Sequence, residues 1–169
     1  MTVPYSRALV PGIVLLVTLP ACPPTPAWAS SAPAPAPAPA QWRPRATALV
    51  DEINRRRAGA GCRPVRLRIT LSKAAQRHSA DMSRHKRLSH TGSDGSRPPG
   101  RMRAAGFRVG PTGEVIASGP DTARAAVRTW LRSPSHRTVV LTCRYTDAGV
   151  GVARGPGGPW WTLDLAARR

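Results

Sequence analysis

The spacing of apolar residues changes once along this chain, and that change limits the fold more than any other feature. Ala46, Leu49, Val50 and Ile53 recur at helical spacing, as do Leu71, Ala74, Ala75, His78 and Met82, and then Ala123, Ala126, Val127, Trp130 and Leu131. This is the stripe of an amphipathic helix. From Asp147 onward the period is two. Ala148, Val150 and Val152 alternate with Asp147, Gly149 and Gly151, and after a Gly/Pro turn over 154–159, Trp161, Leu163 and Leu165 alternate with Trp160, Thr162 and Asp164. Two alternating runs joined by a turn read as a hairpin. The glycines mark a strand against which another backbone packs closely. Helices first and a hairpin last predict an α+β fold with helices covering a small antiparallel sheet.

The ends of the elements follow from local chemistry. The first helix carries Asp51 and Glu52 opposite its apolar stripe, runs into Arg55, Arg56 and Arg57, and stops by Gly59. Cations near the negative end and a terminating glycine suit a helix C-terminus. A second helix is expected over Leu71–Arg87 with Thr70 as its cap, and a short third helix over Arg101–Ala105 is closed by Gly106. Asp121 is placed to cap the fourth, and Ser133-Pro134 ends it, since the residue before proline avoids helical angles. Phe107–Val109 and Val115–Ala117 are candidate further strands.

The N-terminal region reads as an address. Arg7 precedes an apolar stretch, Ala8–Leu19, and Ala27-Trp28-Ala29 offers small residues before Ser30, so residues 1–29 read as a secretory signal peptide. Leu19-Pro20-Ala21-Cys22 offers the alternative of lipid anchoring at Cys22. Neither reading leaves a transmembrane span after processing. Residues 30–41 form an Ala/Pro-rich linker of polyproline II composition, and the folded domain occupies 42–169. Cleavage or acylation accounts for Cys22, leaving Cys62 and Cys143; in an oxidising compartment that pair is expected as a disulfide, the alternative being two separate buried thiols.

The 26 lysines and arginines against 8 acids give a formal charge of +18, and cleavage after Ala29 removes only Arg7 from it. Such a surface attracts polyanions. Outside a cell these are anionic lipids or wall polymers, while nucleic acid is discounted because of export and the lack of aromatics interleaved with the arginines. Arginine-rich codon usage at exposed sites would leave the same composition. Gly-x-Ser-x-Gly, His-Glu-x-x-His and a glycine-rich phosphate loop are all absent, and no cysteine is spare for catalysis. His78 and His85 lie seven apart on one helix, about 10 Å by helix rise, too far to share a metal. His78 is expected in the core and His85 at a solvated helix end.

Five segments stand in a specific order: Gln76–Met82, Leu88-Ser89-His90-Thr91, Gly113-Glu114-Val115-Ile116-Ala117, Trp130–Arg137 and Ala148–Ala153. Together they resemble the bacterial secreted branch of the CAP superfamily, the SCP or PR-1-like domains, over Thr47 to Leu165. The resemblance implies a three-layer α-β-α sandwich with a central cleft whose histidines are His90 and His136 and whose acid is Glu114. It also implies that a divalent ion, zinc above all, can sit between His90 and His136. Two departures are visible: Val115 stands where the family commonly has Asn, and Ser133 stands where many members have a second glutamate.

The resemblance implies a ligand- or envelope-binding protein acting on a lipid, wall polymer or other anionic partner, and more a binder than an enzyme. A second reading is a zinc-dependent or His/Glu-assisted hydrolase of peptide or wall polymer, with Glu114 as general base and His136 in the site, or a Ser89 or Ser133 triad with both. A third is a structural module in envelope or spore assembly.

Overall fold

The computed structural model describes residues 42–169. The segments read as a signal peptide, an alternative lipid-anchoring Cys22 and an Ala/Pro-rich linker lie outside the described residues. The elements follow as α1 (Arg43–Ala58), β1 (Arg66–Leu67), α2 (Ile69–His85), α3 (Pro98–Ala104), β2 (Val109–Ser118), α4 (Ala123–Arg132), α5 (Pro134–Val140), β3 (Asp147–Gly155) and β4 (Gly158–Arg168).

The strands form one sheet in the order β1-β3-β4-β2. The expected hairpin is β3–β4, with Val150 opposite Leu163 and Val152 opposite Trp161. β2 pairs antiparallel with the far edge of β4, and the two short strands expected around 107–117 are one strand that begins at Val109. The sheet is mixed and not wholly antiparallel, because β1 pairs parallel with β3 through Arg66–Asp147 and Leu67–Ala148. Two residues carry no readable alternation, which is why the sequence hid that strand.

Helices cover both faces. On one, Val115, Trp161, Leu163 and Val150 pack with Leu49, Ile53, Val127 and Trp130 of α1 and α4 in the main apolar core. The other lies under α2 and α3. It has an apolar cluster at each end of β4, Leu71–Met102–Phe107–Ala166 and Met82–Ile116–Trp160. Between them, along β4, sit the buried Thr162 and Asp164. The period of two separated the faces of β4 correctly, but α2 buries the polar face as well.

The close approach signalled by the glycines is that of α2 to β3. A Cβ on Gly151 would fall 2.5 Å from the Gln76 nitrogen, with the Ala75 carbonyl nearer still, and Gly149 meets Leu71 and Ser72 in the same way. At that distance α2 side chains serve the edge of β3, which β1 leaves open beyond Ala148. Ser72 Oγ accepts from Val150 N at 3.2 Å, Gln76 both accepts from and donates to Val152 at 3.0 Å, and Ser83 Oγ donates to Arg154 O at 3.0 Å. A covered edge cannot template pairing with another chain.

Several helix ends differ from expectation. α2 starts at Ile69 after an extended Arg68, so Thr70 lies inside its first turn and caps nothing. Thr122, not Asp121, caps α4, its side chain accepting from Ala125 N at 3.1 Å. Ser133 does end α4, but Pro134 then occupies the first turn of α5, where its missing N–H is no loss. Glu52 is buried and not on a solvated face, paired with Arg55 and Arg56. Arg57 is fully buried, its guanidinium donating to the carbonyls of Val140, Thr142 and Tyr145. These carbonyls surround Cys143, which is joined to Cys62 in the expected disulfide. Closing a loop of that size contributes about 3–5 kcal/mol.

Candidate functional site

The second layer gathers His78, Arg101 and Asp164 around one carboxylate, that of Glu114. β2 carries Glu114 on its α2 face, directly opposite Asp164 of β4. α2 supplies His78 from its buried stripe. At the end of α2 a left-handed residue, Lys86, turns the chain, and the segment after it brings Ser89 and His90 back over the sheet. α3, started by Pro98 and Pro99, presents Arg101 one turn later.

Glu114 is 8% exposed and both its oxygens are engaged. His90 Nδ1 lies 2.7 Å from Oε1, and Arg101 Nη2 donates to Oε2 at 2.6 Å. His78 Nε2 stands 3.8 Å from Oε1 and 2.9 Å from the Ser89 carbonyl. Arg101 also donates to the carbonyls of His90 and Ser96 at 3.1 and 2.8 Å, and so ties the 90–96 loop to the carboxylate.

Protonation follows from these contacts. Burial works against ionising Glu114, but the hydrogen bond from His90 and the Arg101 charge outweigh it and hold the carboxyl below its ordinary range. A carboxylate only accepts, so the proton of His90 sits on Nδ1 and, in the neutral ring, Nε2 is bare. Burial pushes His78 down, the charge of Glu114 only partly opposing it, so this ring is neutral with its proton on Nε2 toward Ser89 O. Asp164 is 1% exposed; burial, and then the charge of Glu114, raise its carboxyl well above the ordinary value. One carboxyl of the cross-strand pair is ionised and the other is a neutral acid. Both Asp164 oxygens, His78 Nδ1 and Arg101 Nε lack a partner among the described residues.

Of the residues singled out in the sequence, His90 and Glu114 are brought together. His136, on α5, makes no hydrogen bond or ion pair with either among the described residues, and Ser133 Oγ, at the end of α4, pairs with Ser135 Oγ at 3.1 Å. His78 is a core histidine, as expected, and His85 lies exposed beside Asp81 at 3.1 Å. Sequence reasoning missed Arg101 and Asp164. The signal for Asp164 was a single acid inside the otherwise uncharged run Trp160–Ala166.

A metal centre does not fit these residues well. Among those described, no group of three or more His, Cys, Asp or Glu side chains converges as ligands do, and the carboxylate is already matched by a guanidinium. A resident zinc takes three or four protein ligands. His90 offers one bare nitrogen and His136 at most a second.

The sequence profile of the CAP family, described as the cysteine-rich secretory protein family, matches residues 50–165. The uncharacterized protein YkwD of Bacillus subtilis is 30% identical over 120 residues, which are 71% of this chain and 46% of that protein. Among solved structures, an extracellular SCP-domain protein from Bacillus anthracis superposes with a TM-score of 0.69 at 24% identity, over 75% of this chain and 41% of that one. An outer surface protein from Borrelia burgdorferi superposes with a TM-score of 0.66 at 22% identity, over 72% and 90%. The chain thus spans less than half the length of YkwD and of the Bacillus anthracis protein. These structures share the three-layer fold.

Proposed function

Because the chain belongs to the CAP family, the cysteine-rich secretory proteins, we propose that it is an exported binding module that engages an anionic lipid or wall polymer of the envelope and presents the His90–Glu114 site to a ligand. The observation that carries this reading is the state of Glu114. A general base needs a lone pair free for the substrate's proton and an affinity for it near the working pH. Glu114 spends both oxygens on His90 and Arg101 and is held more acidic than usual. Those contacts, its burial and its lowered proton affinity suit a carboxylate that orients an imidazole better than one that takes a substrate's proton.

What remains for a ligand is His90, exposed, its ring fixed through Nδ1 and its Nε2 turned to accept. The extracellular and outer-surface descriptions of the structural relatives support export, and the +18 charge supports an anionic partner.

The test compares wild type with His90→Ala and His136→Ala on peptide, lipid and wall substrates, with and without zinc. The expected result is no turnover above blank and salt-sensitive retention on wall or anionic vesicles. Zinc-dependent turnover that disappears in His136→Ala would establish the hydrolase instead.

A further inference from the structure

Two hollows lie along α2, and neither is lined by His90, Glu114 or His136. The larger, about 730 Å³, is walled by Asp81 and Asp94 as well as by Arg77, Arg84 and Arg101, so carboxylates and guanidinium groups share it; Arg84 lies on the wall of both hollows. The smaller is about 400 Å³ and lies where the start of α1, α2 and the end of β3 meet. Arg45, Arg84 and Arg154 line it, with Trp42, Val152 and Ala153 as apolar wall, and no carboxylate is among its lining residues.

None of these three guanidinium groups makes an ion pair among the described residues. The sequence makes that deficit hard to repair. No acid precedes Asp51, so the N-terminal 50 residues have no side-chain carboxylate to offer. Glu52, Glu114 and Asp147 are paired with other arginines, Asp81 is engaged by His85 and Ser93, Asp94 is turned onto Ser96, Asp164 is sealed in the core, and Asp51 and Asp121 are not among the hollow's lining residues. Three arginines on the wall of a concave, partly apolar surface that has no carboxylate of its own raise the local potential, which a bound anion relieves.

The chemistry of the wall selects the anion. Guanidinium forks match the oxygens of phosphate, and a half-buried tryptophan beside Val152 and Ala153 offers contact to an apolar group carrying it. We propose that this hollow binds the phosphate of an anionic phospholipid headgroup, with Trp42 against its glycerol and proximal acyl carbons. The proposal rests on the reading that the partner is an anionic envelope molecule, and gives that partner a place apart from His90 and Glu114.

The experiment measures binding of the purified protein to phosphatidylglycerol-containing vesicles and to pure phosphatidylcholine vesicles. It compares wild type with the double variant R84Q/R154Q and with R103Q/R108Q, which removes the same charge from exposed positions outside the hollow. Binding only to the anionic vesicles is expected, weakened roughly tenfold or more by R84Q/R154Q and less than about threefold by R103Q/R108Q. Glycerol 3-phosphate should compete in the wild type and not in R84Q/R154Q. Equal losses in both double variants would overturn the site while leaving the anionic partner standing. Binding to a soluble glycerol-phosphate polymer but not to vesicles would overturn the lipid assignment. A wild type that binds none of these probes would bring down the partner reading itself.

Discussion

Replacing Arg101 by methionine keeps most of the side-chain volume and removes the one full cation on Glu114. Three hydrogen bonds go with it: to Glu114 Oε2, to Ser96 O and to His90 O. The carboxylate, 8% exposed, is left with the imidazole of His90 alone. Removing one member of a buried pair costs about 3–5 kcal/mol, and Glu114→Gln, which strands a guanidinium 9% exposed, falls in the same range. The double variant Arg101→Met/Glu114→Gln leaves neither charge stranded, so its loss should fall short of the summed singles by about 2 kcal/mol or more. Urea unfolding followed by circular dichroism at pH 7, with the disulfide intact, measures all four proteins, since a domain stability of about 5–15 kcal/mol leaves the singles folded over all but the bottom of that range. The acid limb adds a second check. Glu114 is held below its ordinary range, so its contribution is complete above the unfolded-state value and is lost as pH falls through the lower folded one. The gap between wild type and Arg101→Met should therefore narrow in acid. Additive losses within about 0.5 kcal/mol, or a gap indifferent to pH, would refute the claim that this pair organises the site.

Gly151→Ala should destabilise by about 1–3 kcal/mol in the same urea assay, because its Cβ meets the backbone of α2 and not a flexible side-chain tip. Gly100→Ala, inside α3 with nothing within 4 Å of its Cβ, is the control and should be neutral or stabilising by up to about 1 kcal/mol. Asp164→Asn tests the neutral acid. The folded protein keeps this proton at pH values where the unfolded chain has lost it, so wild-type stability declines as pH rises from the unfolded aspartate value toward the raised folded one. Melting temperatures between pH 4 and 8 should show a shallower decline in Asp164→Asn; identical slopes would mean that Asp164 is ionised in the fold.

Particular residues explain what could and could not be read from the sequence. The alternation from Asp147 to Leu165 defined the hairpin, and its glycines announced the approach of α2, because period and missing side chains are local properties. Glu114 and His90 were found through five segments in register, 24 residues apart in the chain, where spacing alone offers nothing. Arg101 stayed hidden among the other arginines because nothing local distinguishes a guanidinium that finds a buried carboxylate from one that faces water. Arg57 was hidden likewise, its partners being backbone carbonyls more than 80 residues away. Asp164 was assigned to the right face of β4, but its burial depends on α2 lying across that face.

The most direct test of the central claim is a carbon-13 NMR titration of the side-chain carboxyls of Glu114 and Asp164, assigned through Glu114→Gln and Asp164→Asn. The account predicts that Glu114 stays ionised down to a pH below the usual glutamate range while Asp164 remains protonated well above the usual aspartate range. A Glu114 that takes up its proton near neutrality would contradict it, for that is the behaviour of a general base and would put hydrolysis ahead of binding.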